Sequence, residues 1–162
     1  MSELSHVGPD NLPNMVDISS KAPSERRALA RAVVTFPESS ANLRGGGEIH
    51  TKKGPVLATA IVAGTMAAKK TSDLIPFCHQ VPLTSCQLRI EILDEKTLEI
   101  RCEAKTYGTT GVEMEALLGA MTAAATVYDM CKAISHQIVI GPVELLEKTG
   151  GKSLYQKTEV GC

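Results

Sequence analysis

RALARAVVTF, residues 27–36, can be read as a helix or as a strand, and the choice decides the fold. Its alanines and arginines favour a helix. Against them, Ala28, Ala30, Ala32, Val34 and Phe36 alternate with Leu29, Arg31, Val33 and Thr35, and the segment closes on Val-Val-Thr-Phe. A period of two with a β-branched end is the pattern of a strand with one face in a core. We read a strand.

Before it, residues 1–14 carry Gly8, Pro9, Asn11, Pro13 and Asn14 and read as a loose arm. After it, Pro37 to Gly47 reads as a polar turn ending in three glycines. Pro55 suits the first turn of a helix, and VLATAIVAGTMAAKK (56–70) has small apolar residues on nearly every face, the mark of a buried helix. Leu83–Leu93 and Lys96–Tyr107 alternate on either side of Asp94-Glu95 and read as a hairpin. Gly111 opens a second long helix, GVEMEALLGAMTAAATVYDMCKAIS. QIVIGPVELL (137–146) makes a last strand, and the tail from Gly150 reads as flexible. The order β-α-β-β-α-β is that of an α+β, ferredoxin-like (split βαβ) domain, an antiparallel sheet with two main helices on one face. One domain is expected over 1–162, with arms at 1–14 and 154–162.

A net charge of −1 leaves no broad basic surface for nucleic acid. With no Trp, two Phe and three Tyr, there is little on which to stack bases. Five cysteines, an odd number with no C-x-x-C pair, point to reduced thiols in a cytoplasmic compartment. The start, MSELSHVGPDN, has no basic-then-apolar leader, and no uncharged run reaches the ~18 residues of a membrane helix. No membrane partner is expected, and any cationic site must be local.

The first candidate for chemistry is TSDLIPFCHQVPLTSC (71–86), where Cys78 and His79 stand side by side between Pro76 and Pro82. Zinc ligands are typically spaced as C-x₂₋₄-C or H-x₃₋₅-H, which this pair is not. A Cys-His nucleophile pair usually draws its members from separate parts of the chain. The plainer reading puts one residue in the core and the other at a rim. KTGGKS (148–153) resembles a phosphate loop but has Leu146 where the pattern needs Gly. Lys148 and Lys152 remain, as a solvated pair or a flexible clamp for phosphate. In KTYGTTGVEMEA (105–116) a Gly/Thr loop runs into a helix N-terminus, a place that suits an anion. Glu113 and Glu115 there are ordinary first-turn acids. A Glu also hydrogen-bonds the N–H groups of a guanine- or pterin-like ring, so the role of this turn stays open.

At the other end of that helix Asp129 and Lys132 share a face as i, i+3 neighbours. They follow a thirteen-residue uncharged stretch, so a buried pair with mutually shifted pKa values is expected. Glu115 and Asp129 fall on nearly the same helical face, yet fourteen residues separate them by ~21 Å. Either the two ends do different work or a second subunit brings opposite ends together. Lys53 lies in HTKKGPV before the first helix, Lys69-Lys70 close that helix, and Arg26-Arg27 precede the first strand. These junction clusters suggest one concentrated anion site.

Together MVDIS (15–19), KKGPV (52–56), DLIPFCH (73–79), TGVEMEAL (110–117), YDMCKA (128–133) and GGKS (150–153) resemble the cyclic pyranopterin monophosphate synthases, the MoaC family of molybdenum-cofactor biosynthesis. The resemblance runs in collinear order from Met15 to Ser153. It implies conversion of 3′,8-cyclo-7,8-dihydroguanosine 5′-triphosphate to cyclic pyranopterin monophosphate with release of pyrophosphate, a lyase reaction. It implies a homo-hexamer, a trimer of dimers, with the active site at a dimer interface. By motif, Asp129, Lys132 and Lys53 take the catalytic roles, and Phe77, Cys78, His79, Glu113, Met114 and Glu115 contact substrate. Arg26, Lys69, Lys148 and Lys152 are the expected triphosphate ligands. No metal site or cofactor is expected; Mg²⁺ can assist, but no carboxylate cluster demands it. The rival readings are a ligand-binding module without chemistry, since fold alone does not decide function, and a nucleotide hydrolase, against which the broken phosphate-loop pattern counts.

Overall fold

The computed structural model describes residues 12–37, 47–151 and 153–158. Residues 27–35 of the stretch lie in a strand, β1 (Ser24–Thr35), at the middle of the sheet. Ala28, Ala30, Ala32 and Val34 are fully buried beneath the helices. Arg27 and Arg31 stand on the opposite face. Arg27 reaches Glu103 (2.5 Å) and Glu147 (2.6 Å) on the flanking strands, and Arg31 reaches Glu144 (2.6 Å) and Glu99 (3.3 Å). The arginines that made the segment look helical are thus the charged face of a central strand, neutralised across its two neighbours.

The remaining elements are β2 (His50–Thr51), β3 (Gly54–Pro55), α1 (Val56–Ala68), α2 (Thr71–Leu74), β4 (Ser85–Ile92), β5 (Thr97–Gly108), α3 (Glu113–Cys131), β6 (Val139–Thr149) and β7 (Tyr155–Gln156). The main sheet has the order β4-β5-β1-β6-β7, and every neighbouring pair is antiparallel. α1 and α3 pack on each other and cover one face, so the ferredoxin-like α+β arrangement holds. Four elements were not expected: β2 and β3 of the small hairpin, the single turn α2, and β7. Tyr155-Gln156, assigned from sequence to an arm, pairs with β6. Residues 38–46 of the expected polar turn, and 1–11 of the expected N-terminal arm, lie outside the described residues.

The two helices touch through small residues. A Cβ on Gly64 would stand 2.6 Å from the carbonyl oxygen of Gly119, 3.1 Å from Ala123 Cβ and against Leu88 Cδ2. The backbones are therefore in near contact. Gly64→Ala gains up to ~1 kcal/mol of helix propensity. It forces an overpacked core costing ~1–3 kcal/mol. A net loss of about 1 kcal/mol is expected, read as a lower denaturant midpoint at unchanged slope.

Candidate active site

At the N-terminal end of α3 two cavities share the wall Thr110, Gly111 and Glu113. One, of about 370 Å³, is mainly apolar and takes in Phe77, Cys78, His79, Met114 and Glu115. The loop after α2 brings the first three to the start of α3, where turn residues 110–112 hold the others. His79 Nε2 stands 2.7 Å from the Val16 carbonyl oxygen. A carbonyl only accepts, so Nε2–H is the donor in this contact. Cys78 faces Glu115, its Sγ 4.0 Å from Oε1. Burial, then the Glu115 and Glu113 carboxylates, push its thiol pKa up, which disfavours a thiolate nucleophile.

Glu115 is 2% exposed, and its Oε2 has no hydrogen-bond partner. Burial, reinforced by the Glu113 carboxylate, pushes its pKa up to about 7. An unpartnered carboxyl oxygen in a mainly apolar pocket is costly to keep, and a ligand N–H donor would satisfy it.

The second cavity, about 560 Å³, is lined by Lys21, Arg26, Arg27 and Lys148 together with Glu113. Lys148 Nζ reaches Glu113 Oε1 at 2.9 Å, across the shared wall. Glu113 folds back over Gly111, where any Cβ would collide with its carboxylate. The glycines of GGKS serve the same cavity. Gly150 (φ +84°) and Gly151 (φ +79°) hold left-handed conformations and press on Glu25 and Arg26, leaving no room for a side chain. Arg26 Nε donates to the Gly108 carbonyl at 3.2 Å. Lys148, placed by the sequence on a tail, is the penultimate residue of strand β6 instead. Lys152 lies outside the described residues.

At the other end of α3, Lys53 Nζ contacts Asp129 Oδ2 (2.7 Å) and its carbonyl oxygen (2.9 Å), and Lys132 Nζ contacts Asp129 Oδ1 (2.8 Å). Lys132 first, then Lys53, hold the Asp129 carboxyl at about 2, and Asp129 in turn raises the Lys132 amine. The expected burial of this pair is not found: all three side chains are about half exposed, Asp129 standing in the last turn of α3 and Lys132 at its C-cap. The triad and the two cavities lie ~14 residues apart along one helix, about 21 Å. One chain does not bring them together.

Lys69 lines neither cavity; it is the C-cap of α1, and the Cys86 thiol pKa is lowered first by the hydrogen bond between Cys86 and Cys102 and then by the Lys69 charge. Lys21 was missed from sequence. Its signal was available in SSKAPSERR, a lysine five residues before Arg26, but a strand boundary and a turn had to be placed before the two could be seen to converge. Among the described residues no group of three or more His, Cys, Asp or Glu side chains is arranged to hold a metal ion. Nor is any helix among them long and apolar enough to cross a membrane.

Fold and site together define a ferredoxin-like α+β protein with two adjoining cavities, one mainly apolar and one lined by lysines and arginines, and a separate lysine–aspartate cluster. The chain belongs to the MoaC family, whose profile matches residues 15–151. It is 49% identical over 152 residues to a cyclic pyranopterin monophosphate synthase of Xanthomonas oryzae pv. oryzae, covering 93% of this chain and 92% of that one. A protein of the same description from Brevibacillus brevis is also 49% identical, with 93% of each chain covered. A molybdenum cofactor biosynthesis bifunctional protein of Synechocystis is 50% identical over 159 residues, and this chain spans 46% of its length.

Proposed function

We propose that this MoaC-family enzyme is a cyclic pyranopterin monophosphate synthase of molybdenum-cofactor biosynthesis. It converts 3′,8-cyclo-7,8-dihydroguanosine 5′-triphosphate to cyclic pyranopterin monophosphate and pyrophosphate. The observation that carries the reading is the pair of adjoining cavities. The apolar one offers Phe77 and Met114 to a flat ring and the unpaired Glu115 oxygen to ring N–H donors. The other offers Lys21, Arg26 and Lys148 to phosphates, with Gly150-Gly151 allowing close backbone approach. Lys148 exchanges Glu113 for phosphate when substrate enters, and Lys69 reaches the phosphates from a partner protomer.

Chemistry is the work of Asp129, Lys53 and Lys132. With the carboxyl near 2, the resting protons are on the two amines. The cluster therefore donates first: an ammonium protonates a ring nitrogen as its bond breaks, and Asp129 becomes a competent base only once substrate has drawn an amine away. The lysines and Arg26 also stabilise charge on the leaving pyrophosphate as the cyclic phosphate closes. In this reading the reaction requires no cofactor, and Mg²⁺ can assist at the triphosphate without being demanded by the chain.

The 21 Å gap is closed by assembly: in a homo-hexamer, a trimer of dimers, the Asp129 end of one protomer meets the cavities of its partner. Reduced cysteines suit a cytoplasmic enzyme. The function is tested by mixing purified full-length protein with the cyclo-dihydro nucleotide and detecting product and pyrophosphate by mass spectrometry. Binding without product would turn the assignment to a ligand-binding module. Sharing of the site is tested by co-expressing Asp129→Asn and His79→Ala protomers. Each variant alone is expected to be inactive, and the mixture to recover a sizeable part of wild-type turnover. No recovery in a mixed assembly would place the whole site within one chain.

A further inference from the structure

The small hairpin that carries Lys53 is fastened at both ends. At its tip, Lys53 meets Asp129 of α3. At its root stands Glu48. Glu48 Oε1 accepts the N–H groups of Ile49 (2.8 Å) and Leu57 (2.7 Å), and Oε2 accepts that of Ala58 (2.9 Å). The Ile49 carbonyl accepts the N–H of Val56 (2.8 Å). Residues 48 and 49, on the entering arm, thus take the first three N–H groups of α1, on the leaving arm.

This arrangement has a local cause. The first N–H groups of a helix have no partner within it and are usually met by a Ser, Thr, Asp or Asn at the N-cap. Here Pro55 holds that position and makes no side-chain cap. The cap is supplied instead from the far side of the hairpin, so one carboxylate both starts α1 and closes the loop. Between root and tip lie two strands of two residues each, paired His50↔Pro55 and Thr51↔Gly54. The turn is trimmed by the Lys53 N–H donating to Thr51 Oγ1 (3.2 Å) and by Gly54 at φ +111°.

We propose that Glu48 is a positioning residue for Lys53: its carboxylate ties the hairpin root to α1 and so sets the line along which the Lys53 amine reaches Asp129. The inference rests on Lys53 being the catalytic amine of the proposed reaction. Glu48 lines neither cavity. Its loss therefore acts on the chemical step more than on substrate capture, and a misplacement of ~1 Å costs up to ~100-fold in rate.

Glu48→Ala and Glu48→Gln in the full chain provide the test, with two readouts. Turnover of the cyclo-dihydro nucleotide by Glu48→Ala should show kcat reduced ~10–100-fold and KM within ~3-fold of wild type. Glu48→Gln, which keeps one carbonyl acceptor for Ile49 and Leu57, should fall between. Lysine acylation by an amine-reactive ester, mapped by peptide mass spectrometry, should show label at Lys53 rising several-fold relative to Lys52, as the amine leaves its ion pair. Wild-type kcat with an unchanged Lys53-to-Lys52 ratio, in either variant that folds, overturns the proposal. So does a loss of kcat with equal gains at Lys52, Lys69 and Lys70, which would mean general loosening. If wild-type protein makes no product but the ratio still shifts, the reaction assignment fails and the positioning of the amine stands.

Discussion

Asp129→Asn is expected to lower kcat by ~10²–10⁴ with the fold unchanged. The carboxylate holds two amines, Lys53 at 2.7 Å and Lys132 at 2.8 Å, in one cluster. Asparagine keeps the shape but removes the charge that gathers them, and it leaves nothing to accept a proton. All three side chains are about half exposed, so little core packing depends on them. Steady-state kinetics should show a fall in kcat with a modest change in KM, alongside an unaltered circular dichroism spectrum and melting temperature. Lys53→Ala should behave alike. If either variant keeps most of its activity, that residue has no place in the mechanism.

The second large effect is on stability, through pH. Glu115 has a folded pKa of about 7 against an ordinary 4.5. Between these values the native protein binds a proton that the unfolded chain has released. Stability from this group is therefore fully present below pH ~4.5 and is lost as pH rises through 7. At about 1.4 kcal/mol per unit, the gap corresponds to at most ~3 kcal/mol. Glu115→Gln removes the titration while keeping the shape. Urea unfolding at pH 5 and pH 8, at one protomer concentration, should show wild type losing up to ~3 kcal/mol more than the variant. Equal pH profiles would mean that Glu115 is paired in the assembled protein.

Substrate should reverse this penalty. If ring N–H groups satisfy the orphaned oxygen, ligand stabilises the ionised form, and the wild-type and Glu115→Gln profiles should converge at saturating substrate analogue.

Much of this protein was legible in its sequence because its decisive signals are local. Alternation in 27–36 records which side of β1 meets the core, and the Ala- and Gly-rich runs record how near α1 and α3 approach. Asp129 and Lys132 are one helical turn apart, so their pairing follows from helix geometry. Phe77, Cys78, His79, Met114 and Glu115 were named from motifs, and their convergence on one cavity required the fold.

What only the tertiary structure decided depends on groups distant in sequence. Nothing in GEIHTKKG foretells that Glu48 caps the helix whose N-cap position is held by Pro55, because Pro55 is itself an ordinary signal of a helix start. The exposure of Asp129 could not be read from the apolar stretch before it, since the face a residue occupies on α3 is set by where α1 and the sheet press. Lys148 became a strand residue paired with Glu113, and Lys69 a neighbour of Cys86, because β6 and α1 run where the sheet order β4-β5-β1-β6-β7 sends them. Periodicity specifies which faces are buried; which charges then meet is settled only when those faces have packed.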